Sequence, residues 1–304
     1  MWKREKPDYN YIILDSETYA AEFLLYEKKD WCIKNKIHFY KCDICDEFSV
    51  ESIIIQEKID TIINFAAESH VDVSIKNPNI FFQTNIMGTV NLLNLSKKYN
   101  IRFHQISTDE VYGETTPHDW IILDDNEYPP LKPSSPYSSS KASAELIALS
   151  YFRTFGTNVT ISRCSNNFGP YQHTEKLIPT IINKILRGQN IPVYGEGNQK
   201  RHWIYVDEHN RAIMNILEKG SVGIIYNIAP LHDNYITNIE LIKFILDYTK
   251  KSYNMIEHVT DRLGHDVSYY MEANYEFCNS NKHWKDDMIT IINWYTDKIE
   301  NTLI

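Results

Sequence analysis

Short apolar runs rich in β-branched residues punctuate the first half of the chain, and segments with helical spacing lie between them. Tyr11–Asp15 (YIILD), Ile37–Ile44, Thr61–Ala67 (TIINFAA), Arg102–Thr108 and Asn158–Ser165 are runs of this kind. Such runs suit strands buried on both faces. Ser49–Glu57, Phe81–Tyr99 and Tyr137–Phe155 carry apolar residues at three- and four-residue intervals, which predicts helices. Strands and helices alternating in this way predict a parallel sheet covered on both faces, an α/β fold. Tyr137–Phe155 follows Pro133-Ser134-Ser135-Pro136, a sequence that stops one element and caps the next. From about Phe168 the texture changes. Helical patterns at Leu177–Arg187 and Asn238–Lys250 alternate there with isolated strands and loops rich in Pro, Gly and His. A first domain over residues 1–167 and a smaller α/β domain over 168–304 are expected.

Composition narrows the function. At 43% hydrophobic, the 304 residues can bury one large or two modest cores. The net charge of −9, with no basic tail or cluster, argues against a nucleic-acid partner. No apolar run approaches a membrane span, and no charged start is followed by an apolar signal segment. A cytoplasmic protein is expected. Of the five cysteines only Cys42-Asp43-Ile44-Cys45 resembles a metal or redox pair. No second pair completes a zinc site, so plain thiols at a strand end and no metal are expected.

Two clusters carry chemistry. Thr108-Asp109-Glu110 puts a hydroxyl and two carboxyl groups on consecutive residues at the end of an apolar run. Tyr137 and Lys141 are four residues apart, on one face of a helix. A phenol beside an ammonium can act as a base near neutral pH, because positive charge favours the phenolate. Taken alone, the acidic pair reads equally as a solvated turn, and Tyr137–Lys141 as an exposed helix pair. Together they supply one group to oxidise an alcohol and two to remove water.

A dinucleotide site normally opens with a strand, a Gly-rich turn and a helix N-terminus that holds the pyrophosphate. No G-x-G-x-x-G or G-x-x-G-x-x-G occurs in the sequence. The chain enters a strand ending in Asp15, where the second strand of such a fold places an acid for the adenosine ribose. It therefore reads as starting inside the first helix, without strand one and its glycine turn. Asp15 alone also reads as an ordinary strand-end cap.

Asp43-Ile44-Cys45-Asp46, Ala66-Ala67-Glu68-Ser69-His70-Val71-Asp72, Thr84-Asn85-Ile86, Ile106–Gly113, Ser135-Pro136-Tyr137, Cys164–Tyr171, Glu175–Pro179, Arg201-His202-Trp203 and Asp261–Asp266 follow one another in order. This series resembles the dTDP-glucose 4,6-dehydratases of the extended short-chain dehydrogenase/reductase superfamily, from about Asp15 to about Tyr295. The resemblance implies a Rossmann-like, doubly wound NAD-binding domain. It also implies a smaller C-terminal domain for the nucleotide-sugar, with segments returning to the first domain. It implies that Tyr137 removes the sugar 4-hydroxyl proton, Lys141 supports Tyr137 and binds the nicotinamide ribose, and Thr108 binds the 4-oxygen. Glu110 would take the C5 proton and Asp109 protonate the departing 6-hydroxyl. A neutral acid beside an ionised base needs pKa values pushed apart, which adjacency encourages. Asp15, Thr18, Asp43, Ile44, Ala66, Ala67, Ser69, Thr84, Tyr137, Lys141 and Asn167 match cofactor positions. Ser69, Thr108, Asn166, Lys176, Leu177, Pro192, Tyr194, Arg201, Asn238, Arg262 and His265 match substrate positions, where Arg and Lys suit diphosphate oxygens.

The sequence departs from the family pattern at His202 (Asp expected), Leu263 (Pro expected) and Val267-Ser268 (basic pair expected). About two extra residues precede Asn238, the C-terminus looks shortened, and the first strand is missing. Weak NAD binding by this chain is expected on that last ground. The expected function is NAD-dependent dehydration of a nucleotide-activated glucose, dTDP-glucose first, by a homodimer pairing through Phe81–Tyr99 and Tyr137–Phe155. The alternatives are a catalytically impaired homologue retained as an interaction partner, and a UDP-sugar dehydratase or epimerase. An epimerase has no use for the Asp-Glu pair.

Overall fold

The computed structural model describes residues 1–19, 21, 25–120, 129–230, 234–274, 276–278 and 283–302, and no side chains at 25–29 and 299–302. The strands are β1 (Ile12–Asp15), β2 (His38–Lys41), β3 (Thr61–Asn64), β4 (Arg102–Thr108), β5 (Val159–Cys164), β6 (Asn166–Phe168), β7 (Ile191–Tyr194), β8 (Lys200–Tyr205), β9 (Ile225–Ile228), β10 (Tyr235–Thr237), β11 (Ile256–Val259) and β12 (Ser268–Tyr269). The helices are α1 (Trp2–Glu5), α2 (Leu25–Lys34), α3 (Glu47–Glu57), α4 (Val71–Lys76), α5 (Pro78–Phe81), α6 (Thr89–Tyr99), α7 (Pro136–Phe155), α8 (Leu177–Leu186), α9 (Val206–Lys219), α10 (Asn238–Tyr248) and α11 (Trp284–Thr302). Two compact units result. Unit one is Met1–Val111, Ser135–Arg163 and Ile213–Tyr226; unit two is Tyr112–Ser134, Cys164–Ala212 and Asn227–Ile304.

Unit one holds two sheets. β1 and β2 pair in parallel, Ile12 opposite His38 through Asp15 opposite Lys41. The second sheet runs β3-β4-β5-β9, with Thr61 opposite Arg102 in the parallel β3–β4 pair. In the doubly wound order 3-2-1-4-5-6, β1 and β2 correspond to strands 2 and 3 and β3 to strand 4, with strand 1 belonging between β1 and β3. Among the described residues no strand lies between β1 and β3. Strands expected over Ile37–Ile44 and Thr61–Ala67 stop at Lys41 and Asn64. Asp43 ends the first by accepting from the Cys45 amide at 2.8 Å, a side-chain turn that competes with the ladder.

Helix α7 starts where its cap predicts. Ser135 accepts from the Ser138 amide, the Ser138 hydroxyl answers the Ser135 amide, Pro136 opens the first turn, and Gly156 ends the helix at φ 69°. Buried Glu145 of α7 receives Arg163 of β5 through two nitrogens, Nη2 at 2.6 Å and Nε at 3.1 Å. The single helix expected over Phe81–Tyr99 is interrupted. It comprises the end of α5, a π-helical segment Phe82–Gly88, and α6. The cause is tertiary: buried Asn85, inside the π segment, bonds outward to two other elements, as the site shows.

Unit two packs α8, α10 and α11 around one core. Ile178, Ile181, Ile182 and Ile185 form the buried stripe of α8, against Leu241, Ile242 and Ile245 of α10 and Met288, Ile291 and Ile292 of α11. Thr237 and Glu240 close a capping box on α10. The strands run β10-β8-β12 with β6 beside β8, and β11 pairs with β7 in parallel. No helix among the described residues is long and apolar enough to cross a membrane.

Candidate functional site

Unit one gathers the reacting groups. β4 ends in Thr108, and the turn Asp109–Tyr112 follows at once. Thr108 Oγ1 donates to Asp109 Oδ1 at 3.1 Å and accepts from the Glu110 amide at 3.3 Å, so the triplet folds on itself. Asp109 is 3% exposed while Glu110 is half-buried. Two adjacent carboxyls thus sit in unlike surroundings, the condition under which one stays neutral and the other ionises.

Tyr137 and Lys141 lie one turn apart on α7, both buried. Lys141 Nζ donates to the Ile106 carbonyl at 2.6 Å, which ties the helix to β4 just ahead of Thr108. Tyr137 packs edge-on against Phe81 at 6.3 Å, with Val71 beside it. The loop after β3 is fixed by Asn85. The Asn85 amide accepts from the Glu68 N–H at 2.8 Å and donates to the Glu68 carbonyl at 3.0 Å and to Ser140 Oγ at 2.8 Å. Ser140 in turn donates to the Tyr137 carbonyl at 2.7 Å. The π segment therefore connects the Ala66–Ser69 loop to the helix turn bearing Tyr137. Single π turns recur at functional sites because they re-aim one side chain.

The other cofactor candidates of unit one fall into two groups. Ala66 and Ala67 are half-buried and Ser69 is exposed, while Thr84 is half-buried on the π segment. Asp15, Thr18, Asp43 and Ile44 gather at the ends of β1 and β2 instead. Asp15 Oδ1 accepts from the Glu17 amide at 2.7 Å, the Thr18 carbonyl accepts from Ala21, and the Cys42 amide donates to the Asp15 carbonyl. Ile44 is buried under Gly88, where an added Cβ would come within 2.4 Å of its Cδ1. Asn91 Nδ2 holds the Ile44 carbonyl at 2.6 Å. This donor set fits a nucleotide cofactor at its adenosine end: a carboxylate at a strand end, a small-residue loop and an apolar shelf. A glycine-rich pyrophosphate cradle is not found among the described residues.

Unit two gathers most of the substrate candidates. Asp261 is the hub. Its Oδ1 pairs with His265 Nδ1 at 2.6 Å and accepts from the Arg262 amide, and its Oδ2 accepts from Gln199 at 2.9 Å. Burial lowers the His265 pKa, Arg262 adds to the lowering, and Asp261 opposes it. Tyr194 of β7 sets its ring 5.8 Å from that of His265, and Pro192, also of β7, pairs with Glu257 of β11. Asn238 opens α10, with its amide on the Gln199 carbonyl at 2.9 Å. Arg201 is placed differently from a loose phosphate ligand. Its guanidinium donates to the backbone carbonyls of Lys200, Asp266 and Val267 and lies 4.0 Å over the Tyr269 ring. It clamps the loop that carries Arg262 and His265. Lys176 caps α8 ahead of Leu177, and Asn166 and Asn167 lie on β6 opposite Trp203 and Ile204.

Sequence reasoning missed Gln199, Ser140 and the bridging role of Asn85. Each is polar and acts through tertiary bonds that no spacing rule reports. His209 was missed too. It looks like any histidine on an amphipathic helix, yet it bonds to Asn167 at 2.9 Å.

Comparisons with known proteins identify the family. A family model described as GDP-mannose 4,6 dehydratase matches residues 2–278. A dTDP-glucose 4,6-dehydratase of Mycobacterium tuberculosis is 37% identical over 303 residues, covering 97% of this chain and 87% of its own length. One from Streptomyces niveus is 38% identical over 291 residues, covering 94% and 83%. The crystal structure of dTDP-glucose 4,6-dehydratase from Bacillus anthracis in complex with NAD superposes with a TM-score of 0.86 at 36% identity, covering 98% of this chain and 92% of that one. A UDP-glucuronic acid 4-epimerase from Bacillus cereus, 20% identical with a TM-score of 0.86 over 97% and 93% of the two chains, shares the fold.

Proposed function

The chain belongs to the dTDP-glucose 4,6-dehydratase family, and on that premise we propose that it uses NAD to convert dTDP-glucose to its 4-keto-6-deoxy sugar. The observation that carries the reading is the Lys141–Ile106 bond, which fixes the Tyr137–Lys141 face of α7 beside the strand that ends in Thr108 and leads into Asp109-Glu110. Bound NAD supplies a hydride acceptor, and then a hydride donor, at one position. Tyr137 takes the 4-hydroxyl proton, with the Lys141 ammonium one turn along the helix to favour the phenolate. Thr108 binds the 4-oxygen. The ketone acidifies the C5 proton, which passes to Glu110. Asp109, buried and bonded to Thr108, gives its proton to the departing 6-hydroxyl, so the oxygen leaves as water. Glu110 returns its proton to C5 as C6 is reduced.

Asp15, Thr18, Asp43, Ile44, Ala66, Ala67, Ser69, Thr84 and Asn167 are the proposed cofactor contacts of the chain, together with Tyr137 and Lys141. In unit two the Asp261 hub, with Tyr194, Arg262, His265 and Asn238, is proposed to hold the nucleotide-diphosphate, with Lys176, Leu177, Pro192 and Asn166, while Ser69 of unit one is proposed to meet the sugar. Arg201 contributes through the loop it clamps. The exposed Leu146 and Phe155 of α7 and Met87 of the π segment support a homodimer through α6 and α7. Sedimentation of a folded sample as a monomer would count against it. Five free cysteines fit a reducing, cytoplasmic setting.

The test is product analysis with NAD in excess. dTDP-glucose should yield the 4-keto-6-deoxy sugar, with UDP-glucose much slower. Turnover with UDP-glucose at equal rate would reassign the nucleotide. A folded protein with no turnover of either would favour an impaired homologue.

A further inference from the structure

His209 belongs to none of the motifs above, yet it is 95% shielded from solvent within unit two and makes one well-defined bond. Its Nδ1 lies 2.9 Å from Asn167 Oδ1. Its Nε2 is buried with no hydrogen-bond partner among the described residues. The opposite end of the Asn167 amide faces the Ser165 carbonyl at 3.1 Å and Cys164 Sγ at 3.4 Å. A carbonyl only accepts, so the atom facing Ser165 must be Nδ2, and the atom facing His209 must be the oxygen. His209 must then carry its hydrogen on Nδ1. Protonating Nε2 as well would leave an N–H buried without an acceptor. The backbone of Asn167 is held separately, by Gln172 Nε2 on its carbonyl at 2.9 Å and by the β6–β8 ladder.

We propose that His209 is a positioning residue for the cofactor end of the site, locking the Asn167 amide in one orientation through a neutral, Nδ1-protonated imidazole. This rests on the reading of Asn167 as a contact to the nicotinamide half of NAD. Both ends of the amide are committed before any ligand arrives, so its remaining lone pair keeps a fixed direction. A free amide could turn over and present a donor where an acceptor is needed. Fixing it removes that competing state and its entropy.

Two measurements test this. The first uses the full chain labelled with nitrogen-15 in histidine, with His209 assigned by its loss in His209→Asn. The His209 ring should remain neutral and Nδ1-protonated from pH 8 to pH 5. An Nε2-protonated ring, or one titrating near its ordinary pKa, overturns the proposal. This needs no cofactor and decides even where affinity is too low to titrate. The second compares His209→Asn, His209→Gln and His209→Leu for binding NADH and ADP-ribose, which lacks the nicotinamide. The Asn side chain places its amide nitrogen near the Nδ1 position, and Gln places it near Nε2. His209→Asn should stay within about twofold of the parent, whereas Gln and Leu should weaken NADH about three- to tenfold, as for one lost hydrogen bond. ADP-ribose binding should hold in all three. Equal losses for both ligands, or rescue by Gln as good as by Asn, overturns the proposal. Asn167→Ala separates the premise. If it leaves the NADH to ADP-ribose ratio unchanged, the reading of Asn167 is wrong. If it lowers the ratio while His209→Gln does not, only the role of His209 falls.

Discussion

Two buried imidazoles should make the folded chain labile to mild acid. His202 and His209 are 4% and 5% exposed, and burial pushes the pKa of each from the usual 6.5 down to about 4. His202 sits between Tyr235 and Tyr270, with ring centroids 5.0 and 4.9 Å away, and its Nδ1 has no hydrogen-bond partner among the described residues. Unfolding returns both rings to water. The unfolded chain then binds more protons than the folded one between 6.5 and about 4. Stability is therefore full above 6.5 and lost as the pH falls toward about 4. The gap is worth about 3.4 kcal/mol per ring at full protonation. At pH 5 the loss is about 2 kcal/mol per ring, so about 4 kcal/mol for the pair, against a domain stability of about 5–15 kcal/mol. The assay is urea unfolding of the parent and of His202→Phe at steps from pH 7 to pH 5. Inside the window two rings give a slope of up to about 2.7 kcal/mol per pH unit, and His202→Phe should remove about 1.4 of it. His265, lowered by burial and by Arg262, adds in the same direction but cancels in the comparison. An unfolding free energy that is flat from pH 7 to pH 5, or a slope unchanged in His202→Phe, refutes the reasoning.

Single-turnover absorbance should separate the two acid–base roles: Tyr137→Phe should suppress the NADH band on mixing, and Glu110→Gln should let it rise while product stays nearly absent. Each loss should be about a hundredfold or more, and near-parental product formation by Glu110→Gln would remove this residue from the elimination step. Glu145→Gln leaves the buried Arg163 guanidinium without its counter-charge, so denaturant unfolding should show a loss of about 3–5 kcal/mol; a loss under about 1 kcal/mol would mean that water reaches the pair. Gly113 holds φ 71°, and a Cβ there would lie 2.1 Å from the Lys132 carbonyl oxygen. Gly113→Ala should therefore lower stability by about 2 kcal/mol or more, and an unchanged melting temperature would contradict the close approach.

Much of the fold was legible because burial writes itself into spacing. Arg102–Thr108 forms a strand with those bounds, and α7 begins one residue before the expected Tyr137 because Ser135 and Pro136 carry local capping chemistry. Phe81–Tyr99 shows the limit. Its apolar stripe predicts helix correctly, but the π segment depends on Asn85 reaching Glu68 and Ser140, partners remote in sequence. Thr61–Ala67 fails for a related reason: Phe65-Ala66-Ala67 continues the apolar run but forms no ladder, and strand assignment needs a neighbour as well as a composition. At the site, consecutive or one-turn patterns such as Thr108–Glu110 and Tyr137–Lys141 were visible. The Asp261–Gln199 and His209–Asn167 bonds join residues distant in sequence and left no periodic trace.

The separate β1–β2 ribbon has a consequence for ligand affinity. Neither strand contains a buried residue, and two paired strands alone are marginal in water. The ribbon should open at lower free energy than β4 or β5, and its amides should exchange with solvent hydrogen sooner. Asp15 and Asp43 stand at its ends. Where such a segment is competent only part of the time, apparent affinity falls by the competent fraction. A ligand that engaged both aspartates would select the closed ribbon and so report its population, making nucleotide affinity in this protein a measure of local order as well as of contacts.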